Sequence, residues 1–346
     1  MTDPSEMPYR TLGRSGIQVS VLGLGTMVLG PWGDDDAGSA IRTVHAALDA
    51  GINLIDCADI YGHGVSEELV GRALRGRRDD VVLATKFSSP MGDGPNQRGG
   101  SRRWIERALD ASLRRLGTDH VDIYYDHRPD PHTDIDETLG ALSDLVRRGK
   151  VRAIGTSTFP AEQLVDAAWV AERRGHVRVT VEQPPYSLLA RGIERSVLPT
   201  CERLGMSAVT WAPLNGGWLT GKYTAGGAAP AGSRAATHGD HFDYDGPAAA
   251  AKAAAVEALT KLAADAGITL PQLAVAFTLA HRRVASALLG PRRADQLTSL
   301  LPAATVRLDD DLLDAIDAIV PPGVDVNPAD AGWTSPALTD ATLRRR

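Results

Sequence analysis

The chain has 346 residues, of which 43% are hydrophobic and 23% are charged, and this length allows one large domain or two ordinary ones. The formal net charge of −6 argues against a nucleic acid or an anionic membrane surface as partner, because each of these requires a basic face. No run of about eighteen apolar residues occurs, so the sequence offers no candidate for a membrane-spanning helix.

The N-terminus and the cysteines both favour a cytoplasmic protein. The stretch MTDPSEMPYR lacks the charged and then apolar pattern of a signal peptide. Cys57 and Cys201 are the only cysteines and form no CxxC motif, which fits a reducing compartment and gives no indication of zinc.

Short apolar runs rich in β-forming residues alternate with longer amphipathic segments from about residue 20 to residue 300. Before them, residues 9–20 (YRTLGRSGIQVS) predict a hairpin that turns at RSG and covers the floor of the sheet. The predicted strands are 19–25, 52–57, 81–87, 121–127, 151–157, 177–183, 207–213 and 285–290. The predicted helices are 37–50, 65–75, 101–117, 134–148, 160–174, 192–205, the region 247–282, 294–301 and an acidic one at 309–320.

Eight strand–helix units in strict alternation predict a parallel sheet, and eight is the number that closes into a (β/α)8 TIM barrel. A doubly wound open sheet is the alternative, and it expects a GxGxxG fingerprint after its first strand. Here GLGTMVLG places Val28 where the third glycine belongs. We therefore expect an α/β protein with a TIM barrel, an N-terminal β-hairpin and a C-terminal helix plus tail. We expect one domain over 1–346, with its core at about 19–301 and the helix and tail in 302–346.

Polar side chains end three consecutive predicted strands: Asp56 the second, Lys86 the third and His127 the fourth. Active sites of barrel enzymes lie at these C-terminal strand ends, and neighbouring strands are about 4.8 Å apart. Tyr61, on the loop after Asp56, can fold back over them. Taken singly, each residue has an ordinary structural explanation, as a turn residue, packing tyrosine, solvated lysine or core histidine. Their conjunction favours a site, since only five of the 37 basic residues of this chain are lysines.

This set of groups is suited to carbonyl reduction. We expect the Lys86 ammonium to lower the pKa of Tyr61 and the Asp56 carboxylate to keep Lys86 charged. Tyr61 then acts as general acid, and His127 is a second donor to the carbonyl oxygen. The hydride must come from a cofactor.

The remaining strand ends and loops predict a place for that cofactor. Ser157, Gln183 and Trp211 offer groups that can bind a carboxamide and stack on a flat ring. The loops after strands seven and eight, LNGGWLTGKY and GPRRADQ, combine glycines with Lys222, Arg292 and Arg293, which indicates a phosphate site. The arginines, without an acid placed for a ribose hydroxyl, favour NADP(H) over NAD(H), although surface arginines of a helix cap are the alternative.

A metal site is the weaker alternative. His238, Asp240 and His241 lie close together in the segment HGDH, but no third ligand type is in view, and we expect no metal.

With these residues identified, the chain resembles the aldo-keto reductase superfamily along nearly its whole length. The stretches that carry the resemblance are GLGT (23–26), GINLIDCADIYGHGVSEELVG (51–71), VVLATK (81–86), HRPDPHTDIDETLGAL (127–142), GTSTF (155–159), EQPPYSLL (182–189), WAPLNGGWLTGKY (211–223) and LLGPRRADQL (288–297). The resemblance implies a (β/α)8 barrel that binds NADPH without a Rossmann domain. It also implies a catalytic tetrad, which falls on Asp56, Tyr61, Lys86 and His127.

By the same resemblance, a set of residues from six strand ends and loops would contact the cofactor. These residues are Thr26, Asp56, Ser157, Thr158, Gln183, Trp211, Pro213, Leu214, Gly216, Lys222, Gly290, Arg292 and Gln296. The chain departs from the family pattern at Cys57, where threonine is commoner, and at Thr158, where asparagine or arginine is usual. It also has Ser299 and Leu300 where many relatives place Glu and Asn against the adenine.

The HRPDP and WAPL stretches are most similar to the branch that contains potassium-channel β subunits and bacterial sugar-ketone and aldehyde reductases. In channel β subunits the fourth tetrad position is commonly asparagine, so His127 favours a working reductase. We therefore expect an NADPH-dependent reductase of aldehydes or ketones, including ketosugars, with a small-molecule carbonyl substrate. A catalytically weak, NADPH-binding regulatory subunit is the second hypothesis, and an unrelated barrel isomerase the third. A homo-oligomer is compatible with either NADPH-binding hypothesis, and the loops 88–100 and 213–250 and the tail 321–346 are expected to select the substrate.

Overall fold

The computed structural model describes residues 7–33, 35–223, 227, 230, 233–237 and 244–344. Eight parallel strands close into a barrel in the order β10-β3-β4-β5-β6-β7-β8-β9, which confirms the predicted TIM barrel. The strands are β1 (Tyr9–Thr11), β2 (Gln18–Ser20), β3 (Leu22–Gly25), β4 (Leu54–Asp56), β5 (Val82–Phe87), β6 (Val121–Asp126), β7 (Val151–Ser157), β8 (Val179–Gln183), β9 (Ser207–Thr210) and β10 (Val284–Leu289).

Helices follow the barrel strands and cover the outside of the sheet. They are α1 (Ala37–Asp49), α2 (Val65–Ala73), α3 (Arg102–Leu116), α4 (Ile135–Arg147), α5 (Ala161–Arg174), α6 (Val197–Leu204), α7 (Arg234–Thr237), α8 (Ala249–Asp265), α9 (Leu270–Ala280), α10 (Ala294–Leu300), α11 (Asp310–Ile319), α12 (Pro336–Thr339) and α13 (Ala341–Arg344). Among the described residues, no single helix is long and apolar enough to cross a membrane, although α8 and α9 pass that test together as a pair bent by 91°.

The N-terminal hairpin closes the floor of the barrel. Strands β1 and β2 pair in antiparallel fashion, with Tyr9 opposite Ser20. Leu12 and Val19 of the hairpin are fully buried and pack with the apolar side chains that fill the barrel interior. Those interior side chains are Leu54, Ala84, Ile123, Tyr125, Val181, Val209, Ala285 and Leu288.

The first predicted strand, 19–25, is two strands in the structure. The chain leaves the hairpin at Val21, whose N–H donates to Pro8 O at 3.0 Å while its carbonyl accepts from Ala287 N at 2.9 Å. Val21 thus hydrogen-bonds to the hairpin segment through its N–H and to the barrel strand β10 through its carbonyl. An unbroken apolar run cannot reveal such a change of partner.

Two further elements end earlier than predicted, each for a local reason. The strand predicted at 207–213 ends at Thr210, since Ala212 has a φ of +54° and cannot continue an extended strand. The helical region 247–282 breaks at residues 266–269. Thr269 starts α9 with a capping box in which its hydroxyl accepts from Gln272 N.

Glycines with positive φ lie at or just after the ends of five helices. Gly117, Gly175 and Gly205 are left-handed C-caps of α3, α5 and α6. Gly51 and Gly149 follow α1 and α4 by two residues, also with positive φ. At or just before each of these glycines the helix ends, and the chain then continues into the next strand.

The segment after α11 crosses the mouth of the barrel. We call residues 321–334 the C-terminal strap. Its backbone bonds the loop after β8, with Val326 N donating to Leu189 O at 2.9 Å and Arg191 N donating to Val324 O at 3.1 Å. The strap thereby becomes part of the wall at the C-terminal ends of the strands.

Candidate active site

The four residues that end or follow β4, β5 and β6 meet at the mouth of the barrel. Asp56 is the last residue of β4, Lys86 lies near the end of β5 and His127 directly follows β6. The Lys86 Nζ donates to Asp56 Oδ1, to Cys57 O at 2.7 Å and to the Tyr61 hydroxyl at 3.3 Å. The side chain of Lys86 is fully buried. The arrangement is thus a buried ammonium that links a carboxylate to a phenol.

Aromatic rings position Tyr61 above this pair. Its ring meets His127 edge-on, with centroids 5.9 Å apart, and lies 6.2 Å from the ring of Trp32. The His127 Nδ1 lies 3.4 Å from Ser89 Oγ. The imidazole and the phenol therefore share one side of the cavity described below.

The electrostatics of Tyr61 differ from the expectation. Burial raises the pKa of the Tyr61 phenol above its ordinary value of 10.0, and the attraction of Lys86 only partly offsets this effect. The expected lowering is therefore wrong for the protein alone, because desolvation penalises the phenolate more than one ammonium stabilises it. Tyr61 is protonated at neutral pH, which is the state that a general acid needs.

The neighbours of Tyr61 have well-defined charge states. Burial acts to lower the pKa of Lys86, but Asp56 and Tyr61 outweigh it and the pKa is raised, so the ammonium is retained. Burial raises the pKa of Asp56, and the contact with Lys86 opposes this. Burial, with Lys86 and Arg128 nearby, lowers the pKa of His127 well below its ordinary 6.5, so the imidazole is neutral at pH 7. A neutral imidazole can donate one N–H.

A cavity of about 900 Å³ opens beside these groups, at the upper end of the range for small-molecule sites. Tyr61, Asp56 and His127 line it. So do twelve of the thirteen residues predicted to contact a cofactor: Thr26, Asp56, Ser157, Gln183, Trp211, Pro213, Leu214, Gly216, Lys222, Gly290, Arg292 and Gln296. Ser299 and Leu300 line it as well.

Gln183 connects the predicted cofactor-contact residues with the predicted catalytic tetrad. Its Nε2 donates to Asp56 Oδ2 at 2.7 Å, on the oxygen that Lys86 does not use. The amide N–H₂ is thereby oriented by the carboxylate. The Thr26 hydroxyl donates to the Asp56 carbonyl at 3.0 Å and accepts from Ser66 Oγ at 2.8 Å.

Three parts of the chain that were predicted for the site lie outside the cavity lining. Thr158 does not line the cavity, because its hydroxyl is turned to Arg128, 3.1 Å from Nη1. Arg293 also lies outside the lining and binds Asp295, its own helix's first-turn acid, at 3.1 Å. The loop 88–100 contributes no lining residue, whereas residues 213–222 and the strap do.

Sequence reasoning missed Arg128, and for the tail 321–346 it predicted a role in substrate selection without naming residues. Arg128 follows His127 and faces the cavity, and five strap residues do so too: Ala329, Asp330, Gly332, Trp333 and Thr334. An arginine in a loop has many ordinary roles. The tail has no periodic pattern that would reveal which of its residues lie over the mouth.

Backbone strain is concentrated around the mouth. In the described part of the chain, the non-glycine residues with positive φ are His63, Ser88, Thr158, Ala212 and Asn215. All five lie on loops that follow the C-terminal ends of β4, β5, β7 and β9. Such strained positions cluster at functional sites, where the surrounding structure holds them.

The lining residues fit a nicotinamide dinucleotide. The Trp211 indole N–H is buried and has no hydrogen-bond partner among the described residues, so the indole has a donor to offer. A Cβ on Gly290 would meet nothing within 4 Å, which leaves room for close approach to the backbone. Lys222 and Arg292 supply positive charge in the loops after β9 and β10. One cavity therefore contains a flat indole ring, polar groups that can bind an amide, and positively charged side chains at its loop end.

The described residues contain no cluster of three or more metal-ligating side chains. The HGDH segment, with His238, Asp240 and His241, lies outside the described residues.

Comparisons with known proteins agree with this geometry. The model of the aldo/keto reductase family matches residues 21–321. The chain is 37% identical to a probable voltage-gated potassium channel subunit beta of rice over 91% of its own length and 97% of the relative. It is 39% identical to the uncharacterized oxidoreductase YrpG of Bacillus subtilis, over 91% and 96% of the two chains. It is 34% identical to the L-glyceraldehyde 3-phosphate reductase of Escherichia coli, over 84% and 86%.

Proposed function

Because this chain belongs to the aldo/keto reductase family, we propose that it uses NADPH to reduce aldehydes or ketones, including ketosugars, to alcohols. Membership of the family indicates an oxidoreductase that acts on carbonyl groups. The cofactor, the direction of the reaction and the roles of individual residues are the proposal. The observation that carries it is the Lys86 ammonium, which is bonded to Asp56 and lies 3.3 Å from the Tyr61 hydroxyl at the wall of the cavity.

Tyr61 is the general acid. Its phenol carries a proton at neutral pH and transfers it to the carbonyl oxygen of the substrate as the alcohol forms. Lys86 stabilises the phenolate that remains, and Asp56 keeps Lys86 charged and fixed in direction. A methionine or an uncharged residue at position 86 would leave the phenolate without this support.

His127 is a second donor to the same oxygen. Its imidazole is neutral, so one ring N–H is available without adding a charge next to Lys86. Two donors that converge on one oxygen stabilise the charge that develops there during reduction.

The proposed cofactor supplies the hydride that the protein's own residues cannot provide. Trp211 would offer a face to the nicotinamide ring, and Ser157 and Gln183, which line the same cavity, would bind its carboxamide. Lys222 and Arg292 would bind phosphate groups, and Arg292 favours the 2′-phosphate that distinguishes NADP(H) from NAD(H).

A regulatory NADPH-binding subunit is the second candidate, favoured by the relatives named as potassium channel subunits beta. It predicts tight NADPH binding, negligible turnover with a broad set of carbonyl compounds and a stable partner complex. His127 supports the reductase instead, because it provides the second donor that catalysis needs. The relative named L-glyceraldehyde 3-phosphate reductase supports a small hydroxylated aldehyde as substrate.

Replacing Tyr61 by phenylalanine tests the mechanism. The variant Tyr61→Phe should lose about 10²- to 10⁴-fold in kcat, because the proton donor is gone while the ring remains. The Kd for NADPH, measured by fluorescence titration, should change less than about threefold, since the hydroxyl is proposed to bind the substrate oxygen rather than the cofactor. Tyr9→Phe, on the exposed hairpin, is the matched control. Full activity of Tyr61→Phe would refute Tyr61 as the acid.

A further inference from the structure

Among the described residues that line the cavity, one cation is used by neither the tetrad nor the proposed cofactor. The two carboxylates in this described lining are both paired with lysines: Asp56 with Lys86, and Asp330 with Lys252. The lining arginines and lysines are Arg128, Lys222 and Arg292. Lys222 and Arg292 are proposed for the cofactor phosphates, which leaves Arg128.

In contacts with the described residues, Arg128 uses only one of its three guanidinium nitrogens. Its Nη1 donates to His127 O at 2.6 Å, to Thr158 Oγ1 at 3.1 Å and to Ser157 Oγ at 3.4 Å. Within the described ranges, Nε and Nη2 have no hydrogen-bond partner, and no carboxylate oxygen lies within 4.0 Å of the guanidinium. The side chain is held at one corner and offers its opposite edge to a ligand.

This edge lies near the reacting groups. Arg128 follows β6, and in the closed barrel β6 stands opposite β10, whose loop carries Arg292. The guanidinium carbon lies 6.0 Å from the centre of the Trp211 ring, and the residue is covalently next to His127. A ligand group bound there would lie next to His127, whereas Arg292 belongs to the loop of the opposite strand.

The charge of Arg128 is poorly compensated. Burial lowers its pKa, and Tyr61, Glu182 and Asp126 only partly oppose that effect. The buried Arg191, by contrast, has two carboxylate partners, Glu194 and Asp317. A desolvated cation without such a partner gains most from an anion.

We propose that the Nε–Nη2 edge of Arg128 binds an oxyanion of the substrate, a carboxylate or a phosphate a few bonds from the carbonyl. This rests on the proposed carbonyl reductase function. The edge presents two parallel N–H groups, the geometry that matches two oxygens of one carboxylate or phosphate. Arg128 is thus a specificity-determining residue that selects anionic aldehydes over neutral ones.

Matched substrate pairs test the proposal on the wild-type protein. Succinic semialdehyde and its amide differ in a carboxylate, and glycolaldehyde phosphate and glycolaldehyde differ in a phosphate. We expect kcat/KM for the anionic member of at least one pair to exceed that of the neutral member about ten- to a hundredfold, as for hydrogen bonds to a charged group. The pair that shows the preference identifies the anion. Equal values within both pairs would overturn the proposal.

Variants of Arg128 test whether this residue causes the preference for anionic substrates. In Arg128→Gln the ratio of anionic to neutral kcat/KM should fall about tenfold or more, mainly through KM, and Arg128→Lys should recover part of it by restoring the charge. Arg147→Gln removes the same charge from the exposed end of α4 and should leave the ratio unchanged. If Arg128→Gln lowers both members of a pair equally, its role is structural and the proposal fails.

Binding separates this proposal from the proposed function. Isothermal titration of succinate and of inorganic phosphate should give saturable binding to the wild type and binding weakened about tenfold in Arg128→Gln. Such binding without reduction of any aldehyde would sustain the anion site and refute the reductase. Reduction without charge preference and without anion binding would sustain the reductase and refute the anion site.

Discussion

Tyr61 shows how single residues tune one another in this site. Burial keeps its phenol protonated, and Lys86 stabilises the phenolate only once the proton has moved. The acid is therefore available throughout the neutral range, and reduction should slow only as the pH rises through the raised pKa of Tyr61. The neutral His127 adds a donor without adding a charge.

Asp59 makes folding stability depend on pH. Burial and the Glu67 carboxylate raise the pKa of Asp59 from 3.8 to about 8, although Arg115 and Lys86 oppose them. Between these values the folded chain retains a proton that the unfolded chain has lost, so the free energy of unfolding falls as pH rises. Asp59→Asn should remove part of this slope and gain stability, relative to the wild type, from about pH 5 to about pH 8. Urea unfolding at both pH values measures this, and parallel pH curves for the two proteins would contradict it.

Gly332 fixes the position of the Trp211 indole. Its φ is +77°, and a Cβ there would lie 2.7 Å from Trp211 Cζ2. Gly332→Ala should therefore displace the indole and weaken NADPH binding at least about fivefold, the effect of overpacking by about 1 kcal/mol.

Gly267→Ala is the matched control for that substitution. Gly267 has a φ of +72° but no atom within 4 Å of a Cβ, so it carries the same backbone cost without the clash. Fluorescence titration of NADPH compares the two variants. An equal Kd in both would show that contact with Trp211 is irrelevant to the cofactor.

The sequence predicted the residues that carry strand-end chemistry and missed those whose role depends on distant contacts. Asp56, Lys86 and His127 follow from the ends of three apolar runs, and the structure brings them together with Tyr61. The pKa of Tyr61 was predicted in the wrong direction because burial, which sequence does not report, outweighs the nearby charge.

At the scale of elements, the C-terminal strap completes the site. It lies beyond residue 321, where the family match ends, yet it supplies five residues of the cavity lining. The Asp330 Oδ2 accepts from Lys252 Nζ at 2.7 Å and from Asn215 Nδ2 at 2.8 Å. One buried carboxylate thus joins the strap to α8 and to the loop after β9.

Breaking the contact of Asp330 with Lys252 and Asn215, the junction of the strap with the barrel, should loosen the strap. Asp330→Asn removes the carboxylate that pairs with the buried Lys252 and should lower the free energy of unfolding by about 3–5 kcal/mol. Replacing both charges with apolar residues, Lys252→Met with Asp330→Leu, should recover much of the loss. Denaturant unfolding measures both.

A partly exposed ion pair provides the control for this series. Lys150 and Asp110 are 2.7 Å apart, and Asp110→Asn should cost at most about 1 kcal/mol. A loss in Asp330→Asn no larger than in this control would mean that the junction does not hold the strap.

The boundaries of elements were predictable where a local signal marks them. Glycine is such a signal, and it caps α3, α5 and α6 close to the predicted ends. The change of partner at Val21 and the path of the strap have no such signal, because each depends on backbone bonds to residues far away in the chain.

At the scale of the whole molecule, closure of the barrel brings residues from distant parts of the chain to one mouth. Alternation of eight strands and helices was enough to predict that closure, and β10 pairs with β3 as it requires. We propose that the barrel, α11 and the strap form one domain, as the buried contact of Asp330 with α8 suggests. Two separate unfolding transitions of the wild type in the experiment above would contradict that.

The closed barrel also separates two kinds of charge around the cavity. Cations of the loops after β9 and β10 face the proposed phosphates, whereas Arg128 stands across the barrel beside His127. The proposed cofactor and an anionic substrate would therefore meet positive charge at different sides of the same mouth.

The most direct test of the central claim is the rate at which the purified wild-type chain oxidises NADPH in the presence of aldehydes, diketones and ketosugars. We predict a loss of NADPH absorbance that depends on the carbonyl compound and is matched by an equal amount of alcohol. NADPH that binds but is not oxidised by any member of the set, or that does not bind at all, would contradict the account.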